Sequence, residues 1–192
     1  MENQTLALIA SFVAMLLIAS SYFFKKKELY LLFQAIGMVF LGLNYFFTLE
    51  FFAMLGLAVG LFRALVFFFY EKKDKLAPIF WAYLCAGLTL AAYFIVNWNS
   101  IKPLDIIYMV SLILYAFIFR IRDLKLMRFT VLAPNFLAVL YNVLIQATPF
   151  ATLSYAFELG ANIVSILKYH VFGKEETKQT EEPSKEKTYE EN

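Results

Sequence analysis

The sequence is poor in the residues that build disulfides, metal sites and many catalytic centres. It contains one cysteine, Cys85, and one histidine, His170, so it can form neither an intrachain disulfide nor a cysteine-based metal site. It also lacks a phosphate-binding glycine loop, HExxH, GxSxG and an acidic cluster with metal-ligand spacing. We therefore expect no enzymatic activity, no cofactor and no bound metal.

Charge is also scarce, and hydrocarbon takes its place. Charged residues make up 17% of the 192 positions and hydrophobic residues 61%. Several apolar runs reach the roughly 20 residues that cross ~30 Å of bilayer. The fold class predicted is all-α and transmembrane, with helices near residues 4–24, 29–47, 51–70, 76–96, 104–119, 126–147 and 149–171.

The few basic residues are concentrated in alternate loops. They lie at residues 25–27, 72–75, 120–128 and 168 onward, whereas the loops between carry only Lys102. The positive-inside rule then predicts an N-terminus outside and a C-terminus in the cytoplasm. Because this topology accounts for the basic residues, we expect no nucleic-acid partner.

Two segments of the chain share one order of parts. Residues 25–73 and 120–174 each read as a basic turn, a helix with a polar step near its outer end, a tight turn and a returning helix. Placing "LGLNYFFTLEFF" over "AVLYNVLIQATPF" puts Asn44 on Asn142, and one extra residue in the second turn brings Arg63 onto Asn162. This pattern predicts an internal repeat.

Seven helices with one linker make the two copies parallel. We predict two three-helix bundles related by an axis along the membrane normal, an arrangement of secondary transporters that places substrate sites between the copies. The predicted division is 1–73 for the first repeat, 74–100 for the linker helix and 101–172 for the second repeat. Residues 173–192 alternate lysine and glutamate with no apolar face, so a disordered cytoplasmic tail is expected.

The order of motifs resembles the YgjV-like family of bacterial inner membrane proteins. "LNYFF" ends the second helix, "GLFRALVFFF" lies in the third, "YNVLIQ" ends the sixth and "ELGANIVSILKYH" lies in the seventh. The resemblance covers most of residues 5–172 and implies a multi-pass protein of the bacterial inner membrane. The chain departs from the family pattern at Gly60 and Leu159, where asparagines would be expected.

The plan of triplet, linker and triplet is in turn similar to that of the SWEET sugar transporters and the PnuC vitamin transporters. SWEET proteins hinge each triplet at a proline. In this chain that proline is found only as Pro134.

Two ionisable residues fall well inside predicted spans, away from the ends, where a charge is costly and suggests a function. Arg63 either reaches the cytoplasmic headgroups, forms a structural ion pair, or faces the bundle interior beside the GxxxG of Gly56 and Gly60. Glu158 lies near mid-bilayer, and three interpretations stay open for it: a pair with Arg63, a protonatable group coupled to transport, or a solvated carboxylate.

The amide side chains also allow two interpretations. Asparagines often only hydrogen-bond helices together. Alternatively, Asn44 with Tyr45 and Tyr141 with Asn142 recur at the outer ends of equivalent helices, and Asn135 follows a proline whose missing donor frees a carbonyl.

The leading hypothesis is a transporter of a small polar metabolite, sugar-like or vitamin-like, working by alternating access. Its partners would be the lipid bilayer, the solute and, as an open alternative, further copies of the same chain. The other hypotheses are a non-transporting scaffold or accessory protein and, third, an intramembrane enzyme relying on Glu158. Gly60 and Pro134 are the predicted gating or hinge positions, and the predicted substrate-binding residues are Asn44, Tyr45, Arg63, Asn135, Tyr141, Asn142, Glu158 and Asn162.

Overall fold

A computed structural model describes residues 2–98, 103–145 and 149–172 of the chain. Within these ranges the regular structure is helical and contains no strand, so the prediction of an all-α protein with seven helices is confirmed. Lys102 and the tail predicted over 173–192 lie outside the described residues. The helices are α1 Glu2–Ser21, α2 Lys27–Thr48, α3 Phe51–Lys72, α4 Ile79–Val96, α5 Pro103–Ile118, α6 Leu124–Leu144 and α7 Pro149–Ile166, and a π-helical segment, Leu167–Phe172, follows α7.

The helices have the lengths and composition of membrane spans. Within the described residues, five helices are long and apolar enough to cross a bilayer, namely α1, α2, α3, α4 and α6. Helix α5 is a shorter apolar helix. Helix α4 begins at Ile79, three residues later than predicted, because Pro78 takes the N-cap position with φ −53°, where its missing N–H costs nothing. A tight turn at Leu49, with φ 62°, separates α2 from α3.

Six of the helices close into a ring. Neighbours in the sequence pack against each other, and two further contacts, α1 with α7 and α3 with α5, complete the circle. Helix α4 packs against α3 and α5. The ring therefore consists of α1, α2, α3, α5, α6 and α7, with α4 bridging its two halves.

The basic loops meet at one end of the ring, which we call the basic end (residues 22–26, 73–78 and 119–123). Lys27 and Glu71 form an ion pair with Nζ and Oε2 2.8 Å apart, which joins the start of α2 to the end of α3. Arg120 Nε donates to the carbonyl of Ala77 at 3.1 Å, and Arg122 pairs with Asp74 at 2.6 Å. The turn at Leu49 therefore lies at the opposite end.

Glycine allows the third and fifth helices to approach closely. A Cβ added at Gly56 would lie 2.6 Å from Leu112 Cδ1, and one at Gly60 would lie 3.2 Å from Met38 Sδ. A methyl group at Gly56 would require Leu112 to shift, so this glycine lies at the contact of α3 with α5, whereas Gly60 faces Met38 of α2.

Candidate functional site

A cavity lies at the centre of the ring. The space in it that the centre of a water molecule can occupy is about 30 Å³, room for roughly two or three waters, and part of the cavity is open to the surroundings. All six ring helices contribute lining residues, and the described part of α4 contributes none. Most of the lining is apolar, and its polar members are Gln34, Arg63, Tyr108, Tyr115, Tyr155 and Glu158.

Arg63 faces this cavity from α3. It is 2% exposed, so the interpretation in which it reaches the headgroups does not describe its position. Nη1 donates to the carbonyl of Leu112 at 3.0 Å, and the guanidinium carbon lies 5.1 Å and 4.7 Å from the ring centroids of Tyr115 and Phe119. The Nε atom has no hydrogen-bond partner among the described residues. The charge is therefore held by one carbonyl and two aromatic faces.

Glu158 faces the same cavity from α7 and is also buried, at 5% exposure. Its Oε1 accepts a hydrogen bond of 2.7 Å from the hydroxyl of Tyr22, the residue directly after α1. The Tyr115 hydroxyl of α5 lies 3.4 Å from the same oxygen. Two tyrosines from different halves of the ring thus converge on one carboxylate oxygen.

Asn135 links those two tyrosines behind the carboxylate. Its Nδ2 donates to the Tyr22 hydroxyl at 3.1 Å, and its Oδ1 accepts from Tyr115. A tyrosine hydroxyl has a single proton, so Tyr115 cannot donate to Asn135 and Glu158 at the same time. The arrangement therefore has two hydrogen-bond patterns, which differ in whether Tyr115 serves the amide or the carboxylate.

Arg63 and Glu158 share the cavity without touching each other. The ion pairs of the described residues are those at the basic end, so the interpretation in which these two side chains pair directly does not describe their positions. Each buried charge is instead held by neutral groups and faces the shared space.

Pro134 lies within α6, and the helix continues through it. The carbonyl of Pro134 accepts a hydrogen bond of 2.8 Å from Ser111 of α5, which ties the two helices beside Asn135. The predicted hinge therefore coincides with a point where α5 and α6 are joined.

Tyr45 and Asn142 meet one turn beyond the cavity, toward the opposite end. The Tyr45 hydroxyl donates to Asn142 Oδ1 at 3.0 Å. One turn nearer the basic end, Leu41 and Ala138 of the same two helices line the cavity. The hydrogen bond therefore connects α2 to α6 between the cavity and the opposite end of the ring.

Tyr141, in contrast, turns toward a carboxylate that the sequence did not single out as a site. Its hydroxyl donates to Asp105 Oδ1 at 3.0 Å, and Asn97 Nδ2 lies 3.2 Å from Asp105 Oδ2. Asp105 is 5% exposed. A carboxylate in the first turn of a membrane-spanning helix ordinarily lies at the membrane interface, and only the fold shows that Asp105 is enclosed.

Asn44 and Asn162 connect helices and do not line the cavity. Asn44 Nδ2 donates to the carbonyl of Ala7 at 3.0 Å, and Asn162 Nδ2 donates to the carbonyl of Arg128 at 2.9 Å. Both side chains are buried. These two therefore follow the helix-joining interpretation, whereas Gly60, Arg63 and Glu158 line the cavity and Asn135 stands directly behind it.

Apolar helices around a central cavity that is lined by buried charged and tyrosine side chains define a multi-pass helical membrane protein. A protein-family model described as Imp-YgjV, bacterial inner membrane protein, matches residues 5–171. The chain therefore belongs to this family, as its motifs predicted, and is a multi-pass protein of the bacterial inner membrane. The chain matches no curated protein and no solved structure at a significant level.

Proposed function

We propose that this protein transports a small polar metabolite across the inner membrane by alternating access between two parallel three-helix repeats. The observation that carries the proposal is the cavity, which holds buried polar and charged groups at the centre of six apolar helices. Buried charges inside a membrane are costly and usually serve a solute or ion path.

The packing order is what two parallel repeats would give. Matching α1, α2 and α3 with α5, α6 and α7 converts the contact of α1 with α7 into the contact of α5 with α3, and both are present. Solute sites of such transporters lie at the repeat interface near the midplane, which is where both triplets contribute to the cavity.

Contacts between the triplets on either side of the cavity supply candidate gates. Tyr45 with Asn142 closes the side toward the opposite end, and Tyr22 with Glu158 closes the side toward the basic end. In alternating access the first contact opens while the second stays closed, and then the reverse. The two hydrogen-bond patterns of Tyr115 give the second gate a local switch.

The test is uptake by the purified protein in sealed vesicles, using labelled sugars, vitamins, nucleosides and amino acids. Ala138 lines the cavity and is 1% exposed, so Ala138→Phe should block uptake by filling that space. Ala58 lies exposed on α3, and Ala58→Phe is the matched control that should transport normally. Absence of uptake of every solute class by a well-folded protein would leave the scaffold hypothesis.

A further inference from the structure

We infer that the solute is a small zwitterion of the amino-acid kind, whose carboxylate is received by Arg63 and whose ammonium is received by Glu158. This inference rests on the proposed function and specifies the class of its substrate. The observation behind it is one cavity lined by two buried, opposite charges that do not pair with each other.

The positive half of the site is open to a carboxylate. Arg63 donates a hydrogen bond to the Leu112 carbonyl and has no carboxylate partner among the described residues. Its five N–H donors fit the two oxygens of a carboxylate. A Cβ built on Gly60 would lie 3.6 Å from Arg63 Nη2, so the glycine keeps space free beside this part of the guanidinium.

The negative half of the site is open to an ammonium group. Glu158 accepts from hydroxyl groups and has no cationic partner among the residues described. Tyr108 and Tyr155 line the same space, with their hydroxyl oxygens 3.1 Å apart. Aromatic faces and hydroxyl oxygens beside a carboxylate are favourable surroundings for an ammonium ion.

The sum of charges in the cavity selects among solute classes. Of the charged side chains in the described ranges, Arg63 and Glu158 line the cavity and no other does. A neutral sugar would leave both charges without an ion partner, and an anion or a cation would satisfy one and be repelled by the other. A zwitterion satisfies both and adds no net charge.

The experiment measures binding by thermal unfolding and uptake in sealed vesicles, both with the full-length protein. The probes are the standard α-amino acids, the amine and the carboxylic acid obtained by removing one charged group from any amino acid that binds, and neutral sugars. We expect an amino acid to raise the unfolding temperature and to be taken up. Its singly charged analogues should bind about thirtyfold more weakly or worse.

Two variants should change which analogue the protein prefers, and a purely structural role of these residues would not produce that change. Arg63→Gln should lose the preference for a carboxylate and bind the amine as tightly as the amino acid. Glu158→Gln should lose the preference for an ammonium group and bind the carboxylic acid as tightly as the amino acid. Arg63→Lys and Glu158→Asp keep the charges and should retain selectivity for the zwitterion. The preference of the natural protein decides the matter even if a Gln variant fails to fold.

The outcomes separate the two proposals. Uptake of a neutral sugar with no amino acid bound overturns the zwitterion and leaves transport standing. No uptake of any of these probes overturns the zwitterion, and if vitamins and nucleosides are not taken up either, transport is overturned as well.

Discussion

The hydroxyl of Tyr22 donates a 2.7 Å hydrogen bond to the carboxylate of Glu158, across 136 positions of sequence. It joins the loop that follows the first helix of the ring to the last helix, at the basic end. Both groups are buried, so neither can exchange this partner for water without a change in the packing of α1 against α7. This contact therefore couples the packing that closes the ring to the hydrogen bonding of the carboxylate.

Replacing Tyr22 by phenylalanine should destabilise the protein by about 1–3 kcal/mol, because a buried carboxylate oxygen loses its shorter hydrogen bond and the Asn135 amide loses its acceptor. Tyr83→Phe is the control, since Tyr83 is 61% exposed on α4 and its hydroxyl should contribute little. Denaturant unfolding of both variants in the same detergent measures the difference. Equal stability of the two variants would show that the hydrogen bond does not hold the ring.

The two ion pairs at the basic end should differ in their contribution to stability. The side chains of Lys27 and Glu71 are 6% and 24% exposed, so Lys27→Met leaves a poorly solvated carboxylate and should cost roughly 1–3 kcal/mol. Those of Arg122 and Asp74 are 51% and 96% exposed, so Arg122→Met should cost at most about 1 kcal/mol. Unfolding free energies at low and high salt provide the comparison, and a larger loss for the exposed pair would contradict it.

Much of the fold could be predicted from the sequence because membrane helices are recognisable from the length and composition of their apolar runs. Helix α3, predicted over residues 51–70, begins at the predicted residue and extends at its C-terminal end to Lys72. The GxxxG pattern also indicated the face on which Arg63 lies, since residues three apart share a helix face.

The site was less predictable, because its partners are distant in sequence. Glu158 could be recognised as costly, but its donors, Tyr22 and Tyr115, are tyrosines among many and carry no local signal. Asp105 was missed for a related reason: a carboxylate in the first turn of a helix ordinarily faces the membrane interface, and only the packing of Tyr141 and Asn97 encloses it.

The orientation in the membrane is testable with single cysteines. In a Cys85→Ala background, Trp98→Cys presents a thiol at the opposite end, where Trp98 is 83% exposed, and Lys73→Cys presents one at the basic end. The positive-inside rule predicts that a membrane-impermeant maleimide labels Trp98→Cys in intact spheroplasts and Lys73→Cys only after permeabilisation. The reverse labelling pattern would invert the topology.

Asn44 should matter for stability and not for the solute. Its amide reaches the Ala7 carbonyl on α1 and does not line the cavity, so Asn44→Ala should lose about 1 kcal/mol of stability with unchanged KM for uptake. Asn142→Ala is the comparison, because it breaks the contact with Tyr45 above the cavity and should change transport kinetics. A rise in KM for Asn44→Ala would assign it a part in solute binding.

Two glycines separate the effect of the cavity from that of the helix. A Cβ at Gly160 of α7 meets no atom within 4 Å, so Gly160→Ala should leave uptake unchanged and favour the helix by up to about 1 kcal/mol. At Gly60 the same methyl group would lie 3.2 Å from Met38 Sδ. A methionine side chain adjusts easily, so the fold should tolerate Gly60→Ala. The methyl group still occupies space beside Arg63, so uptake by this variant should require several-fold more solute. Measuring KM and unfolding temperature on both variants tests this, and an unchanged KM for Gly60→Ala would remove that part of the cavity from the transport route.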